Sequence, residues 1–352
     1  MGIDYRLLKR ISIVIVSMVI LRMNCSSLHA REITDMAGRK VTVPSKIKTV
    51  CADWSPIMYL LYALDPTLLA GTSDRFSEEQ LSYVPLQARN LPVVKGFFAP
   101  GDPANVEALL KAKPDAVIAE IPATPGMNSK GEEMLANLHL PIVYVKLDAT
   151  TDYPEAFLFL GNLLDRQKRA QELAAYGRSA LKEIARIVDS VPKEKRPRVY
   201  YAEGVSGLST ECHTSYHAEL IDMVGATNVH RCAGGAFKVR GRVVVSLEQI
   251  MLYDPDVIIA EEPEFYKAVF SDKRWESIRA VKAGRVYLVP RLLFNWFDHP
   301  PSFMRLLSIK WLAWRLYGNS YPLDMVKEAR AFYRLFLGVE IPDDIMKKKL
   351  QL

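Results

Sequence analysis

Between Asp152 and Ser190 apolar residues recur at helical spacing: Phe157, Leu160, Leu164, then Leu173, Tyr176, Ala180, Leu181, Ile184, Ile187 and Val188. Charged residues, among them Arg166, Lys168, Arg169, Glu172, Arg178, Lys182, Glu183 and Arg186, fill the other face. This alternation predicts an amphipathic helix over residues 152–190. Thr151 or Asp152 can cap it, Pro154 fits its first turn and Pro192 ends it. At 1.5 Å per residue the run would reach roughly 50 Å. Gly161 and Gly177 weaken it locally, and two helices bent at Gly161 are the competing reading.

On both sides of this stretch the pattern shortens into α/β units. Ile47 to Ala52 reads as a buried strand that feeds a helix, Ile57 to Leu64, through the turn Asp53–Pro56. Further short strands are expected at Leu69–Gly71, Val93–Val94, Ala116–Glu120 and Ile142–Val145, with a hairpin around Ala37–Gly38 before them. Past the central stretch, Arg198–Ala202 and Arg285–Pro290 read as strands and Ser302–Tyr317 as a strongly apolar helix. Residues 105–120, NVEALLKAKPDAVIAE, align without gaps on residues 246–261, SLEQIMLYDPDVIIAE. Glu107/Glu248, Pro114/Pro255, Asp115/Asp256 and Glu120/Glu261 are among the identities. Each copy reads as a helix, a Pro-Asp turn and a buried strand ending in a carboxylate. The order is therefore lobe, spine helix, lobe, with boundaries at 31–151, 152–190 and 191–352.

Length and charge then narrow the picture. The 352 residues suggest about two domains, and 49% hydrophobic residues can build real cores. Lys9 and Arg10 precede an apolar run, Ile11–Leu21, with small and polar residues up to Ala30, so residues 1–30 read as a cleaved secretory signal peptide. Cys25 follows Asn24, a poor match to a lipidation site, and no lipid anchor is expected there. Without residues 1–30 the chain holds 42 basic against 39 acidic residues, too mild a balance for nucleic acid. In an oxidising compartment Cys212 and Cys232 can pair, which leaves Cys51 buried and inert.

No glycine-rich phosphate loop and no G-x-S-x-G elbow is present. The densest constellation is Cys212, His213, His217, His230 and Cys232. His213 and His217 would share a face on a helix, and two histidines with two cysteines would suit zinc; a disulfide with hydrogen-bonded histidines is the simpler reading. A second set falls at expected loop tips: Asp53 and Trp54, Lys95 and Gly96, Tyr201 and Glu203, Arg240 and Arg242, Trp296 and His299. If the lobes face each other, these basic and aromatic residues line a cleft suited to a bulky anionic ligand or metal chelate.

The chain resembles the class III substrate-binding proteins of bacterial ABC importers, the iron-siderophore and cobalamin-binding type. The resemblance covers about residues 31–320. It rests on ITDMAGRKVTVP, the two copies quoted above, SYHAELIDMVGATNV and NWFDHPPSFMRLLSIKWLAWRLYG. It implies two α/β lobes joined by one long interlobe helix, a ligand cleft between the lobes, and modest closure on the ligand. It implies a monomeric extracytoplasmic binder with no intrinsic cofactor and no enzymatic activity, whose partners are an ABC permease and its ATPase. Glu107 and Glu248 occupy the places of glutamates that dock to permease arginines. Lys95 and Gly96 fall on a cleft segment, where Lys95 departs from the glutamine of the cobalamin binder. His217 falls where some ferric-siderophore binders place a histidine that reaches the metal of the chelate. Trp296 and Phe297 match an aromatic segment at the cleft mouth, and Arg240 and Arg242 lie near anion-binding arginines. A ferric siderophore-like metal chelate is the favoured ligand; corrinoid, haem, nickel chelate and molybdate-like oxyanions are the alternatives. A metal-dependent enzyme or a non-transport sensor on the same fold would be competing functions.

Overall fold

A computed structural model describes residues 30–94, 105–124, 126–232 and 242–352. The expected signal peptide, Cys25, Lys95, Gly96 and Arg240 lie outside the described residues, Ala30 excepted. The chain opens on the antiparallel hairpin β1 (Ala30–Thr34) and β2 (Lys40–Pro44), turned at Gly38 with φ +78°. The first lobe follows: β3 (Val50–Ala52), α1 (Ser55–Leu64), α2 (Val106–Ala112), β4 (Ala116–Glu120), α3 (Ser129–Asn137) and β5 (Ile142–Val145). Its strands pair in parallel in the order β3-β4-β5.

Two helices come next, α4 (Tyr153–Leu163) and α5 (Gln167–Ser190). The second lobe holds β6 (Arg198–Ala202), α6 (Glu219–Met223), β7 (Thr227–Asn228), α7 (Leu247–Tyr253), β8 (Val257–Ala260) and β9 (Val286–Leu288). Its parallel sheet has the order β9-β8-β6-β7. Helices α8 (Arg305–Tyr317) and α9 (Met325–Leu337) complete the main architecture.

The expected helix over 152–190 is two helices, and the break is not at Gly161. The chain turns at Leu164–Arg166, where Asp165 takes φ +57°. A Cβ on Gly161 would stand 2.2 Å from the Ala170 Cβ, and one on Gly177 would stand 3.1 Å from Pro154. Those two pairings run in opposite directions, so α4 and α5 form an antiparallel hairpin. Gly161 is what lets the hairpin close. The long element is α5 alone, 24 residues or about 36 Å.

The repeat is a repeat in space. Asn105 caps α2 and Ser246 caps α7, each accepting from the backbone N–H three residues on. Both helices end on a left-handed residue, Lys113 at φ +49° and Asp254 at φ +39°. After the proline, Asp115 accepts from the amides of Lys48 and Thr49, and Asp256 accepts from that of Arg198. The Pro-Asp pair thus ties each repeat's own strand to its neighbour at the sheet's amino edge.

Strand alternation divides the core. Val50, Ala52, Ile118, Val143, Val145, Val199, Tyr201, Val257 and Ile259 face one shared centre with α1, α4, α5, α8 and α9. The opposite faces, with Cys51 and Val117 in one lobe and Tyr200, Ile258 and Ala260 in the other, pack into two separate outer clusters. The lobes are therefore joined through a common apolar core as well as by the helical hairpin. No described helix is long and apolar enough to cross a membrane.

Candidate ligand-binding cleft

In parallel sheets ligands sit beyond the carboxyl ends of the strands. There β6 gives way to Glu203 and β8 to Glu261, adjacent because Ala202 is in register with Ala260. Both carboxylates are buried, Glu203 at 0% exposure and Glu261 at 1%. Buried charge requires partners. Arg242 supplies one to each: its Nε lies 3.3 Å from Glu203 and its terminal nitrogen 2.8 Å from Glu261. His299 Nε2 lies 2.6 Å from Glu203, 3.2 Å from Asp298 and 3.6 Å from Glu261.

The loop after Asn295 aims this histidine. Asn295 Oδ1 accepts from the amides of Phe297 and Asp298. The Trp296 indole N–H donates to the Tyr333 hydroxyl at 2.8 Å, and Phe297 lies against Tyr201 with centroids 4.8 Å apart. Both loop aromatics are fully buried. With Trp296 and Phe297 anchored inward, Asp298 and His299 are left at the cleft. Arg305, also fully buried, donates to the Phe297 carbonyl at 2.8 Å and pairs with Asp298 at 3.3 Å and Glu219 at 3.4 Å. Glu219 accepts from the Thr150 amide and hydroxyl, a bond across to the segment leading into α4.

His217 enters from a single helical turn, Tyr216–Ala218, capped by the Ser215 hydroxyl. Its Nδ1 is 2.7 Å from Asp298. Its ring stacks on that of His299, with centroids 5.5 Å apart and planes 14° from parallel. Burial favours the neutral form of Asp298, but the His217 hydrogen bond and the Arg305 charge outweigh it and hold its pKa below the usual range. The ionised carboxylate accepts, so Nδ1 of His217 carries the proton, and no described residue takes its Nε2. Burial likewise opposes charge on His299, yet the hydrogen bond to Glu203 and the nearby Asp298 and Glu261 raise its pKa above the ordinary histidine value. Burial raises the Glu261 pKa against the pull of His299 and Arg242.

The cluster can present charged N–H donors while the imidazoles are protonated, or nitrogen lone pairs when they are neutral. His217, Asp298 and His299, and also Glu203, Glu261 and His299, bring ligand atoms close enough to hold a metal ion.

Several sequence expectations change here. Trp296 covers no cleft face, because it is an anchor in the core. Tyr201 is fully buried as well, on the inner face of its sheet. Arg242 reaches the cleft, but its guanidinium is engaged by Glu203 and Glu261. His213 and His217 do not share a helix face: His217 joins Asp298, whereas His213 lies beside the Cys212–Cys232 disulfide, whose Cα atoms are 5.8 Å apart. Trp54, half-buried, stands at the carboxyl end of β3 beside Asp53, whose pKa burial and the Glu120 charge push well up. Glu107 and Glu248 are exposed in the first turns of α2 and α7. Asp298, Arg305 and Glu219 were not singled out as site residues. An Asp-His pair directly after an aromatic run was their only signal.

The profile of the periplasmic binding protein family matches residues 50–292. The chain belongs to that family. A solved ABC transporter solute-binding protein from Sulfurospirillum deleyianum is 37% identical, with TM-score 0.83, over 92% of this chain and 99% of that one. The molybdate-binding protein MolA of Haemophilus influenzae is 26% identical over 346 residues, 91% of this chain and 94% of its own. The solved structure of molybdate-bound MolA shares the fold at 22% identity and TM-score 0.72. This periplasmic binding protein is thus of class III, an extracytoplasmic carrier that delivers a small ligand, whether metal chelate, oxyanion or corrinoid, to an ABC permease. Its fold is that of a binding protein and not of a catalytic enzyme.

Proposed function

We propose that the chain captures a tetrahedral oxyanion of the molybdate class and hands it to an ABC permease and its ATPase. The observation that carries this reading is the stacked pair His217 and His299, each held at one ring nitrogen by a buried carboxylate. The carboxylates of the cleft are already engaged by arginine and histidine, so the ring nitrogens are what remains for a ligand. Protonated, they are charged donors suited to oxyanion oxygens. The similarity to a molybdate-binding relative along nearly its whole length supports the same class of ligand. Removal of residues 1–30 on export, and permease docking through Glu107 and Glu248, belong to this reading.

A second reading is a metal chelate whose metal takes a neutral imidazole of His217, favoured by the metal-competent grouping of the same side chains. The pH dependence of affinity separates the two. Oxyanion binding needs imidazolium, so affinity should be highest at acidic pH and fall as pH rises through the raised His299 pKa, above the ordinary value of 6.5. Metal ligation competes with protons and should strengthen over the same range. Calorimetric titration of the chain lacking residues 1–30 with sodium molybdate should show saturable binding with the first profile. His217→Ala or His299→Ala should weaken it about ten- to a hundredfold, the loss of one charged hydrogen bond of about 1.5–3 kcal/mol. No saturable heat at acidic pH would end the oxyanion reading.

A further inference from the structure

The Cys212–Cys232 disulfide has a histidine against each sulfur. His213 Nδ1 lies 3.6 Å from Cys212 Sγ, and His230 Nε2 lies 3.8 Å from Cys232 Sγ. The backbone holds the two histidines together, since the His213 amide donates to the His230 carbonyl at 3.0 Å. Asn228 Oδ1 accepts from the His230 amide, and its own amide nitrogen donates to the Glu211 carbonyl, so this turn is anchored. The second ring nitrogen of His230 is 2.9 Å from the Tyr253 hydroxyl. Metal-binding histidines characteristically have such an outer partner, which orients the ring and leaves the other nitrogen for the metal. His213, His230 and Cys232 are all partly open to solvent. None of these residues belongs to the cleft cluster.

We propose that reduction of this disulfide creates a second binding site, a Cys2His2 site for a borderline-soft divalent cation such as zinc, built from Cys212, Cys232, His213 and His230. Two thiolates with two imidazoles are a tetrahedral zinc donor set. With Zn–S near 2.3 Å and Zn–N near 2.0–2.1 Å, sulfur and nitrogen in one tetrahedron stand about 3.5–3.6 Å apart. The two S···N separations are already close to that value, so the main movement required is parting of the sulfurs. The chemistry balances with a dithiol reductant: it gives two electrons to the S–S bond and two protons to the sulfurs, and leaves as its own disulfide. The cation then binds two thiolates and releases both thiol protons to solvent. Reoxidation withdraws two electrons from the thiolates, re-forms the S–S bond and expels the cation. Cys51 does not compete, because burial pushes its thiol pKa up to about 12.

This site stands independently of the ligand assigned to the cleft. Cobalt(II) is the probe, added anaerobically to the chain lacking residues 1–30 after reduction by a phosphine, which ends as its oxide with oxygen taken from water. One equivalent should give thiolate-to-cobalt charge transfer with intense tetrahedral d–d bands. The oxidised chain should give neither, and cobalt held by the cleft histidines would lack the charge-transfer band. His213→Ala combined with His230→Ala should weaken cobalt binding at least about tenfold. A control needs no substitution: diamide, which takes up the two electrons and two protons to become a hydrazine, should release the cobalt from the wild-type chain as the disulfide re-forms. Absence of charge transfer at one equivalent in the reduced chain overturns the proposal, as does undiminished affinity in a folded double-histidine variant.

Discussion

Two buried ionic clusters lie at opposite poles of this protein's purpose. Beside α5, Lys310, 6% exposed, sits between Glu183 at 3.0 Å and Glu328 at 2.7 Å. The Tyr321 hydroxyl donates to Glu183 and that of Tyr176 to Glu328. Every charge there comes from α5, α8 or α9 and finds its partner within those helices. In the cleft, Glu203, Glu261, Asp298, Arg242 and Arg305 are also mutually satisfied, but they stand at strand ends, on loops and at a helix start. They brace two imidazoles that each keep a nitrogen in reserve. A closed network fixes architecture, here the spine against α8 and α9. A network closed except at one apex prepares a ligand site, since the braced rings lose little freedom on binding.

The comparison breaks most visibly at Lys310. Lys310→Ala strands two carboxylates among the helices, and loss of one partner from a buried ionic group costs about 3–5 kcal/mol. Denaturant unfolding should show that loss, while ligand affinity of the folded protein stays unchanged. Lys310→Met in combination with Glu328→Gln should recover much of the stability, because the buried charge is then removed and not merely unpaired. An affinity loss matching the stability loss would show that the spine cluster also shapes the cleft.

A smaller effect sharpens the cleft side. Glu203→Gln keeps the shape but withdraws the charge that His299 leans on. The His299 pKa should fall toward its unperturbed value. Stability gained from a raised histidine pKa is fully present below the unfolded pKa and is lost as pH rises through the folded one. In the variant that loss, and the decline in molybdate affinity, should both move to lower pH. Titrations across the neutral range, read against histidine NMR signals, would check it. An unmoved profile would transfer the titration to His217.

How much of this was legible in the chain differs by element. The duplicated helix, turn and strand could be read because its Pro-Asp turn and terminal carboxylate are local features, and the same contacts recur in both lobes. The spine was legible as amphipathic but not as a hairpin. Helical periodicity runs on across Leu164–Arg166, and whether Gly161 bends a helix or admits Ala170 depends on what packs against it. Trp296 illustrates the same limit: an aromatic after a strand can cover a ligand or anchor a loop, and only its bond to Tyr333 decides. Arg305 opens an apolar helix, where a charged residue reads as a surface position. Its burial follows from Asp298 and Glu219, which reach it from distant parts of the chain.

The smallest effect on the isolated protein is expected at the two outermost carboxylates. Glu107 and Glu248 occupy equivalent positions in the repeat, both exposed in the first turn of a capped helix. The Glu248 pKa is lowered by its own backbone N–H and by Ser246, as suits an acid at a helix start. Neither side chain approaches the histidine pair, and neither has a buried partner to strand. Glu107→Gln and Glu248→Gln should therefore leave unfolding midpoints and molybdate titrations indistinguishable from the parent. Their effect should emerge only with the permease present, as slower ligand uptake by vesicles carrying the importer, because exposed rim charges act on partner recognition and association rate. The double variant should be more impaired than either single one, since the repeat offers the permease two matching contacts, one per lobe. Uptake at the parent rate in the double variant would remove both glutamates from the docking surface. A weakened molybdate titration in either single variant would instead place that lobe's first turn in communication with the cleft.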